Sequence, residues 1–284
     1  MIDDIEREAL LEAIMAGEAY RMAQEDIEFL ASEDLRPVRM QLELLKPELT
    51  LRQLGIRATI VVFGSARIMS PEEAQANLAR AEVQLHAQPG DAVAIDGLRM
   101  AKRRVEQSHW YDESRRFADM ASRCFQHEGP CELVVMTGGG PGIMEAANRG
   151  AFEAGIRSIG LNITLPHEQA PNPFITPELA FRFHYFALRK MHFLLRAKAL
   201  VAFPGGFGTL DELFEVLTLV QTRKMPRIPI VLLNTAFWSR LVDFDFLVDE
   251  GMIAPDDTDL FSIVDTAEAA VAALREFYAG KPIP

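Results

Sequence analysis

The sequence predicts an α/β fold with a doubly wound, mostly parallel sheet and helices on both faces. Short apolar runs typical of buried strands recur along the chain, and stretches with helical spacing lie between most of them. Alternation of this kind indicates βαβ units, in which helices connect parallel strands and cover the sheet. The expected architecture is therefore Rossmann-like.

Six apolar runs are the predicted strands. The first, ATIVVFG (Ala58 to Gly64), is continuous and ends in glycine, as expected of a strand buried on both faces. The later runs repeat this pattern: CELVVMTGGG, IRSIGLNI, KALVAFPGG, IPIVLLN and LFSIV. Helices are predicted at residues 141–154, 186–197, 209–222, 236–250 and 266–278. Together these elements predict one nucleotide-binding domain over residues 57–284.

Further helices are predicted before and inside this domain. Helical patterns at residues 2–31 and 38–54 indicate an N-terminal helical extension over residues 1–56. The first pattern has apolar residues on one face: Leu11, Ile14, Met15 and Met22. The connection between the first two strands is too long for one crossover helix, so we predict a helical insertion at about residues 70–106. QPGD breaks the insertion, and the crossover helix follows in YDESRRFADMASRCF.

Composition and charge narrow the classes of function. The chain has 284 residues, of which 49% are hydrophobic, so it can bury a substantial core. Its net charge of -12 argues against nucleic acid or an anionic membrane as partner, but a local pocket can still hold a small anion. The acidic start MIDDIEREAL does not resemble a signal peptide, and no apolar stretch is long enough to span a bilayer. A cytoplasmic location is predicted.

The two cysteines, Cys124 and Cys131, are too few for a disulfide framework and agree with a reducing compartment. His127 lies between them, which raises the question of a metal site. Three candidate ligands without a fourth are a weak zinc pattern, and CFQHEGPC is more typical of a helix end followed by a turn. We therefore predict no metal.

Three loops rich in small residues follow predicted strands: FGSAR (63–67), TGGGPGIMEAA (137–147) and PGGFGTLDE (204–212). In an open parallel sheet, ligands bind at the carboxyl ends of the strands. Glycines let a phosphate or ribose approach the backbone, and a helix N-terminus adds free N–H groups and partial positive charge. Three such loops at one sheet edge predict a pocket for a nucleotide-like ligand.

The common nucleotide motifs do not match these loops. A P-loop needs a lysine and then Ser or Thr after its last glycine, but Thr209 follows that glycine directly. The dinucleotide fingerprint G-x-G-x-x-G fails at Ile143 in the second loop and at Asp211 in the third. ATP hydrolysis and hydride transfer therefore lose support.

Charged residues stand beside the third loop. We interpret Asp211 as a first-turn acid that complements the helix dipole. Glu212 can point back toward the glycines, where a carboxylate beside a sugar phosphate suggests glycosidic cleavage, because it can stabilise an oxocarbenium-like transition state or activate water. Arg189 and Lys190 begin an earlier helix, in FRFHYFALRKMHF. Two interpretations of these cations stay open: a solvated surface, or binding of a phosphate or leaving-group charge.

The third loop matches the motif PGGxGTxxE, and the second loop is similar to the glycine-rich motif GGGxxGxM. The chain thereby resembles the LOG family, the cytokinin riboside 5'-monophosphate phosphoribohydrolases, many of which carry the label "possible lysine decarboxylase". The resemblance covers about residues 57–280, and the motif of the third loop is intact. The N-terminal extension and the insertion are similar to the longer bacterial members and depart from the short plant-type enzymes.

The resemblance implies roles for individual residues. Arg189 and Glu212 are spaced as the family's catalytic arginine and motif glutamate are, so they are the implied catalytic pair. The implied substrate-binding residues are Gly64, Ser65, Gly138, Gly139, Gly140, Gly142, Met144, Glu145, Lys190, Gly205, Gly206, Gly208 and Thr209. The third-loop glycines and Thr209 are expected to hold a 5'-phosphate. No cofactor is implied, and a homodimer or higher homo-oligomer is expected.

The implied reaction is hydrolysis of the N-glycosidic bond of a nucleoside 5'-monophosphate to free base and ribose 5-phosphate. AMP, or an N6-substituted AMP such as a cytokinin riboside monophosphate, is the expected substrate. A non-catalytic nucleotide- or cofactor-binding carrier is the main alternative, and an assembly or regulatory role through the extension is a third. Lysine decarboxylation is not supported, because neither Lys190 nor Lys198 shows the partner pattern of a pyridoxal phosphate lysine.

Overall fold

The computed structural model describes residues 3–125, 133–165 and 170–279. The chain divides into two compact units, Met1–Pro47 and Glu48–Pro284. The larger unit holds a seven-stranded sheet in which each strand pair is parallel, with helices along the connections. The predicted α/β fold class is therefore confirmed. Within the described ranges, no helix combines the length and apolar character needed to cross a bilayer.

Three helices account for the predicted N-terminal extension: α1 (Asp4–Ala16), α2 (Ile27–Ala31) and α3 (Arg36–Gln53). The single helix predicted over residues 2–31 is wrong, because helical geometry ends at Gly17 and the Asp26 side chain caps a new helix. Apolar residues predicted to share one face are all exposed: Leu11, Ile14, Met15 and Met22. The division between the units lies inside α3, and the domain boundary at residue 56 stays a prediction.

The strands are β1 (Ala58–Phe63), β2 (Leu133–Thr137), β3 (Ser158–Ile163), β4 (Ala180–Phe183), β5 (Ala197–Ala202), β6 (Ile230–Leu233) and β7 (Ser262–Val264). Their order across the sheet is β4-β3-β2-β1-β5-β6-β7. Each residue of β1 and β2 is buried, as expected for strands covered on both faces. Only β4 was not predicted, because its short run AFRF alternates exposed and buried residues and adjoins a helical pattern.

The helices of the larger unit after α3 are α4 (Pro71–Ala87), α5 (Ala92–Gln107), α6 (His109–Phe125), α7 (Ile143–Glu153), α8 (Phe186–Leu195), α9 (Phe207–Gln221), α10 (Thr235–Leu241), α11 (Phe244–Asp249) and α12 (Ala267–Tyr278). Helices α4 and α5 occupy the predicted insertion, and α6 is the predicted crossover helix. The break between α4 and α5 contains Gly90, which has φ +97°, and Asp91 then caps α5. The single helix predicted over residues 236–250 is wrong, because Asp243 caps a separate α11.

The sheet topology places a ligand crevice beside β1. Consecutive connections run from β1 to β2 on one side, while β5 pairs with the other side of β1. The loops after β1, β2 and β5 therefore meet at one sheet edge, at the point where the strand order reverses. Ligands bind at such switch points in open α/β sheets. Beneath them, large buried side chains from α6 and α7 pack on the sheet, among them Phe117 and Ile143.

Candidate functional site

The three predicted loops enclose a cavity of about 260 Å³ at the carboxyl ends of β1, β2 and β5. Predicted site residues that line it are Gly64, Ser65, Gly138, Met144, Arg189, Gly206, Gly208, Thr209 and Glu212. Three lining residues were missed: Phe63, Ala66 and Arg67. Arg67 could have been found, because it is a cation in the loop that directly follows the first strand.

Backbone hydrogen bonds of Ser65 join the three loops. The Ser65 N–H donates to the carbonyl oxygen of Pro204 at 3.0 Å, which links the first loop to the third. The Ser65 carbonyl oxygen accepts from the N–H of Ile143 at 3.1 Å, at the start of α7. The backbone itself therefore fixes the spacing of the loops, whatever their side chains.

The second loop is held by its own glycines and by a buried polar network. Gly139 and Gly142 have φ of +71° and +72°, a region that side chains disfavour. The Gly139 N–H donates to Thr137 Oγ1 at 2.9 Å, and this hydroxyl donates to Asn148 Oδ1 at 2.7 Å. Asn172 Nδ2 donates to the carbonyl oxygen of Gly140 at 3.1 Å. Gly139, Gly140 and Gly142 lie outside the cavity lining and shape the loop.

Two glycines of the third loop have open space beside them, whereas the glycines of the second loop have none. Helix α9 begins at Phe207 with Gly206 as its N-cap, two residues before its predicted start. A Cβ added at Gly206 or Gly208 would meet no atom within 4 Å, whereas one at Gly205 would overlap the Thr209 side chain. The first N–H groups of a helix have no partner within it, so this end of α9 offers donors and partial positive charge to the cavity.

Arg189 and Glu212 form an ion pair in the cavity wall. Arg189 Nη2 donates to Glu212 Oε1 at 3.1 Å, and each side chain is only 13% exposed. The Arg189 guanidinium lies 5.2 Å from the ring centre of Phe186 and 5.6 Å from that of Phe193, within cation–π range. Its Nε has no hydrogen-bond partner among the described residues. The pair therefore occupies an apolar setting with one donor unused.

Burial dominates the electrostatics of this pair. Desolvation raises the pKa of Glu212 to about 7, and the positive charge of Arg189 offsets only part of that rise. Desolvation also lowers the pKa of Arg189, although Glu212 opposes this. Glu212 therefore changes its charge near neutral pH.

The neighbouring charges form a second group outside the cavity lining. Because α9 begins at Phe207, Asp211 lies past its first turn, so the interpretation of Asp211 as a first-turn acid is wrong. Lys190 Nζ contacts Asp211 Oδ1 at 2.9 Å and Glu215 Oε2 at 3.1 Å. Glu145, also predicted at the site, accepts from the Tyr111 hydroxyl at 2.8 Å instead. Lys190 and Glu145 thus pair with residues other than Arg189 and Glu212 and lie outside the cavity lining.

Of the three candidate metal ligands, the structure describes one. Cys124 is a free thiol at the end of α6, while His127 and Cys131 lie outside the described residues. Among the described residues, no three His, Cys, Asp or Glu side chains come close enough to hold a metal ion.

Comparisons with known proteins agree with the motifs. A family model described as "Possible lysine decarboxylase" matches residues 144–274. The chain is 31% identical over 149 residues to cytokinin riboside 5'-monophosphate phosphoribohydrolase LOG1 of Arabidopsis thaliana, covering 51% of this chain and 68% of the relative. It is 32% identical over 148 residues to the phosphoribohydrolase LOG of Oryza sativa subsp. japonica, covering 51% of this chain but only 60% of that protein.

Solved structures give a weaker likeness. A Moco carrier protein from Chlamydomonas reinhardtii matches with a TM-score of 0.45 and 18% identity, over 79% of this chain and 99% of its own. A structural-genomics target matches with a TM-score of 0.46 and 19% identity, over 77% and 99%. At these values the likeness carries no argument about function.

Proposed function

Because the chain belongs to the LOG family, we propose that it is a nucleoside 5'-monophosphate phosphoribohydrolase. The relatives are named for cytokinin riboside 5'-monophosphates, and the family model spans Arg189, the third loop and Glu212. The proposed substrate is AMP or an N6-substituted AMP such as a cytokinin riboside monophosphate. Its hydrolysis yields the free base and ribose 5-phosphate.

The observation that carries this proposal is the buried Arg189–Glu212 pair, which lines the same cavity as the N-terminus of α9. The substrate phosphate binds at Gly206, Gly208 and Thr209, where helix N–H groups are available. The ribose then lies toward Glu212. The cavity volume of about 260 Å³ is just below the range of about 300–1,000 Å³ typical of small-molecule sites, so the base extends through the opening.

The proposed reaction breaks the bond between ribose C1' and the base nitrogen, and the bonding electrons leave with the base. A water oxygen forms the new bond to C1', and the proton that water loses is balanced by protonation of the base. The Glu212 carboxylate stabilises the positive charge that develops on the ribose and accepts the proton from water. Arg189 holds this carboxylate in place, and a pKa near 7 suits a group that exchanges protons at neutral pH.

The lysine decarboxylase label fits these residues poorly. That chemistry uses a lysine that forms a Schiff base with pyridoxal phosphate, which favours a neutral amine. Burial tends to lower the pKa of Lys190, but hydrogen bonds with Asp211 and Glu215 outweigh it and raise this pKa. Lys190 is thereby held as a cation away from the cavity. The homo-oligomer, the cytoplasmic location and the lack of a nucleic-acid partner stay predictions.

The test is release of free base from pure protein, followed by chromatography. AMP, isopentenyl-AMP, GMP and CMP are the substrates, so the assay also identifies the preferred base. We expect Glu212→Gln and Arg189→Ala each to reduce turnover by about 10³-fold or more, because a transition-state charge loses its partner. Asp211→Asn is the matched control, since this neighbouring carboxylate is exposed and faces Lys190. Its turnover should stay within about threefold of wild type.

Two outcomes would contradict this proposal. Tight nucleotide binding without release of any base would favour the non-catalytic carrier. Release that Glu212→Gln leaves near normal would show that the hydrolase uses other residues.

A further inference from the structure

A second cavity lies at the same sheet edge and has no part in the proposed reaction. Its volume is about 570 Å³, within the range of about 300–1,000 Å³ that small-molecule sites occupy. Its walls come from α5 and α6 on one side and from α10 on the other, above the carboxyl ends of β5 and β6. The predicted insertion therefore encloses a space that the sheet loops alone would leave open.

Flat rings form part of the wall. Trp110 lines the cavity although the residue is only 8% exposed, and the His109 ring lies 4.4 Å from its ring centre. Phe237 lines the opposite side from α10. Aromatic walls on two sides favour a ligand that contains a planar ring, because such rings stack on one another.

Two arginines and one glutamate, Glu106, line the same space, in a chain whose net charge is -12. Arg103 and Arg240 both line the cavity. Glu106 pairs with Arg103 at 2.8 Å, but among the described residues no carboxylate lies within ion-pair distance of Arg240. Arg240 is thus available to bind a ligand, and Arg103 can exchange its contact with Glu106 for a contact with a ligand. Arginine forks bind phosphate particularly well.

Amide groups complete the lining. Gln107 reaches the cavity from the end of α5, and Asn234 from the end of β6. The Asn234 Oδ1 already accepts from the Phe237 N–H at 2.9 Å, which leaves its Nδ2 group as a donor for a ligand. Rings, arginines and side-chain amides together match a ligand that carries a planar heterocycle and a phosphate.

We propose that this cavity binds a nucleoside monophosphate, or a close analogue with a planar ring and a phosphate, at a site separate from the Glu212 cavity. The two cavities share one loop: Pro204 lines the second and Gly206 lines the first. Pro204 also accepts the hydrogen bond from Ser65 that joins the loops of the first cavity. A ligand in the second cavity therefore contacts the loop that borders the first.

The experiment uses calorimetric titration of the full chain carrying Glu212→Gln, so that a bound nucleotide is not consumed. AMP, GMP, adenosine and inorganic phosphate are the probes, which separates the contribution of the ring from that of the phosphate. The test variant adds Arg103→Gln and Arg240→Gln. The control adds Arg99→Gln, which removes an exposed arginine from the same helix without touching the cavity. Fluorescence of Trp110, one of two tryptophans, gives an independent signal.

We expect the arginine double substitution to weaken one nucleotide-binding event at least about tenfold, as loss of charged hydrogen bonds does. The Arg99→Gln control should keep that event, and nucleotide should quench Trp110. The proposal is overturned if the double substitution leaves all binding unchanged, or if Arg99→Gln weakens it equally. Failure of the proposed reaction is separate, because it is measured as base release by the wild-type chain.

Discussion

The second and third loops are similar in composition, but their glycines have different roles in this structure. In the loop after β2, the glycines are needed by the protein itself, because Gly139 and Gly142 have positive φ and a Cβ at Gly142 would overlap the carbonyl oxygen of Ser65. In the loop after β5, Gly206 and Gly208 have neither constraint. Their missing side chains leave open space beside the cavity. Glycine in the second loop makes the fold possible, and in the third loop it leaves room for a ligand.

The polar groups beside the two loops differ in the same way. Under the second loop, Asn148 exchanges hydrogen bonds with Thr137, Ser158 and Asn172, so a buried amide is well satisfied. Beside the third loop, Arg189 has an unused donor and Glu212 has a raised pKa. Groups that are incompletely satisfied in the free protein are expected where a ligand completes the set.

The largest effect is expected from Gly142→Ala. The substitution forces a left-handed backbone on alanine and presses its Cβ against the backbone of Ser65, which cannot move without disturbing the loops. Strain and crowding together should lower the free energy of unfolding by roughly 3–5 kcal/mol. Such a loss is a large part of a typical total of about 5–15 kcal/mol. Urea denaturation measures it.

Gly155→Ala is the matched control for that substitution. Gly155 has almost the same φ, +74°, but a Cβ there would meet no atom within 4 Å. It should cost only about 1–2 kcal/mol, the price of left-handed backbone alone. Equal losses at the two positions would show that contact with Ser65 does not constrain the loop, and the contrast with the third loop would then weaken.

A smaller effect is expected from the ionisation of Glu212. Its folded pKa of about 7 exceeds its ordinary value of 4.5, so the folded state binds the proton more tightly than the unfolded state. This contribution to stability is complete below about pH 4.5 and is lost as pH rises through 7. At about 1.4 kcal/mol per pKa unit, the full loss is roughly 3.5 kcal/mol, most of it between pH 5 and pH 8.

Glu212→Gln isolates this contribution. Between pH 5 and pH 8, wild type should lose up to about 3 kcal/mol of unfolding free energy relative to the variant, as urea denaturation at each pH would show. The unpaired Arg189 shifts the variant by a similar amount at each pH and leaves this difference intact. Asp211→Asn should show a much smaller difference, because burial, and not the charge of Asp211, is the main cause of the raised pKa of Glu212. If the difference in unfolding free energy between wild type and Glu212→Gln does not change with pH, the Glu212 carboxylate has more favourable interactions than its burial indicates.

Local signals in the sequence predicted most of the fold, because apolar runs and helical spacing depend on neighbours along the chain. They failed where local rules mislead. Because of the glycines at its start, α9 is predicted to begin two residues too late, which places Asp211 in the first turn. In the structure Asp211 lies past the first turn and pairs with Lys190. The alternating β4 adjoined a helical pattern.

The candidate site was predictable in part. Its loops carry motifs, and their glycines identified the cavity edge. The sequence alone could not distinguish glycines that shape a loop from glycines that border a cavity, because that depends on what a Cβ would meet. It gave no sign of the second cavity, which requires α5 and α6 to pack opposite α10.

The smallest change in stability, and the sharpest contrast between the loops, is expected from Gly208→Ala. Gly208 lies in the first turn of α9 with open space around it, so alanine should be tolerated and should raise stability by up to about 1 kcal/mol. The added methyl group should nevertheless raise the KM for AMP about tenfold or more, because it occupies space at the proposed phosphate position.

Gly97→Ala separates these two consequences. Gly97 lies inside α5, and a Cβ there also meets no atom within 4 Å, but it lines neither cavity. It should gain a similar amount of stability with no change in KM. Urea denaturation and steady-state kinetics on both variants make the comparison. An unchanged KM in Gly208→Ala would mean that the space beside this glycine is not where phosphate binds, and the third loop would then need another reason for its composition.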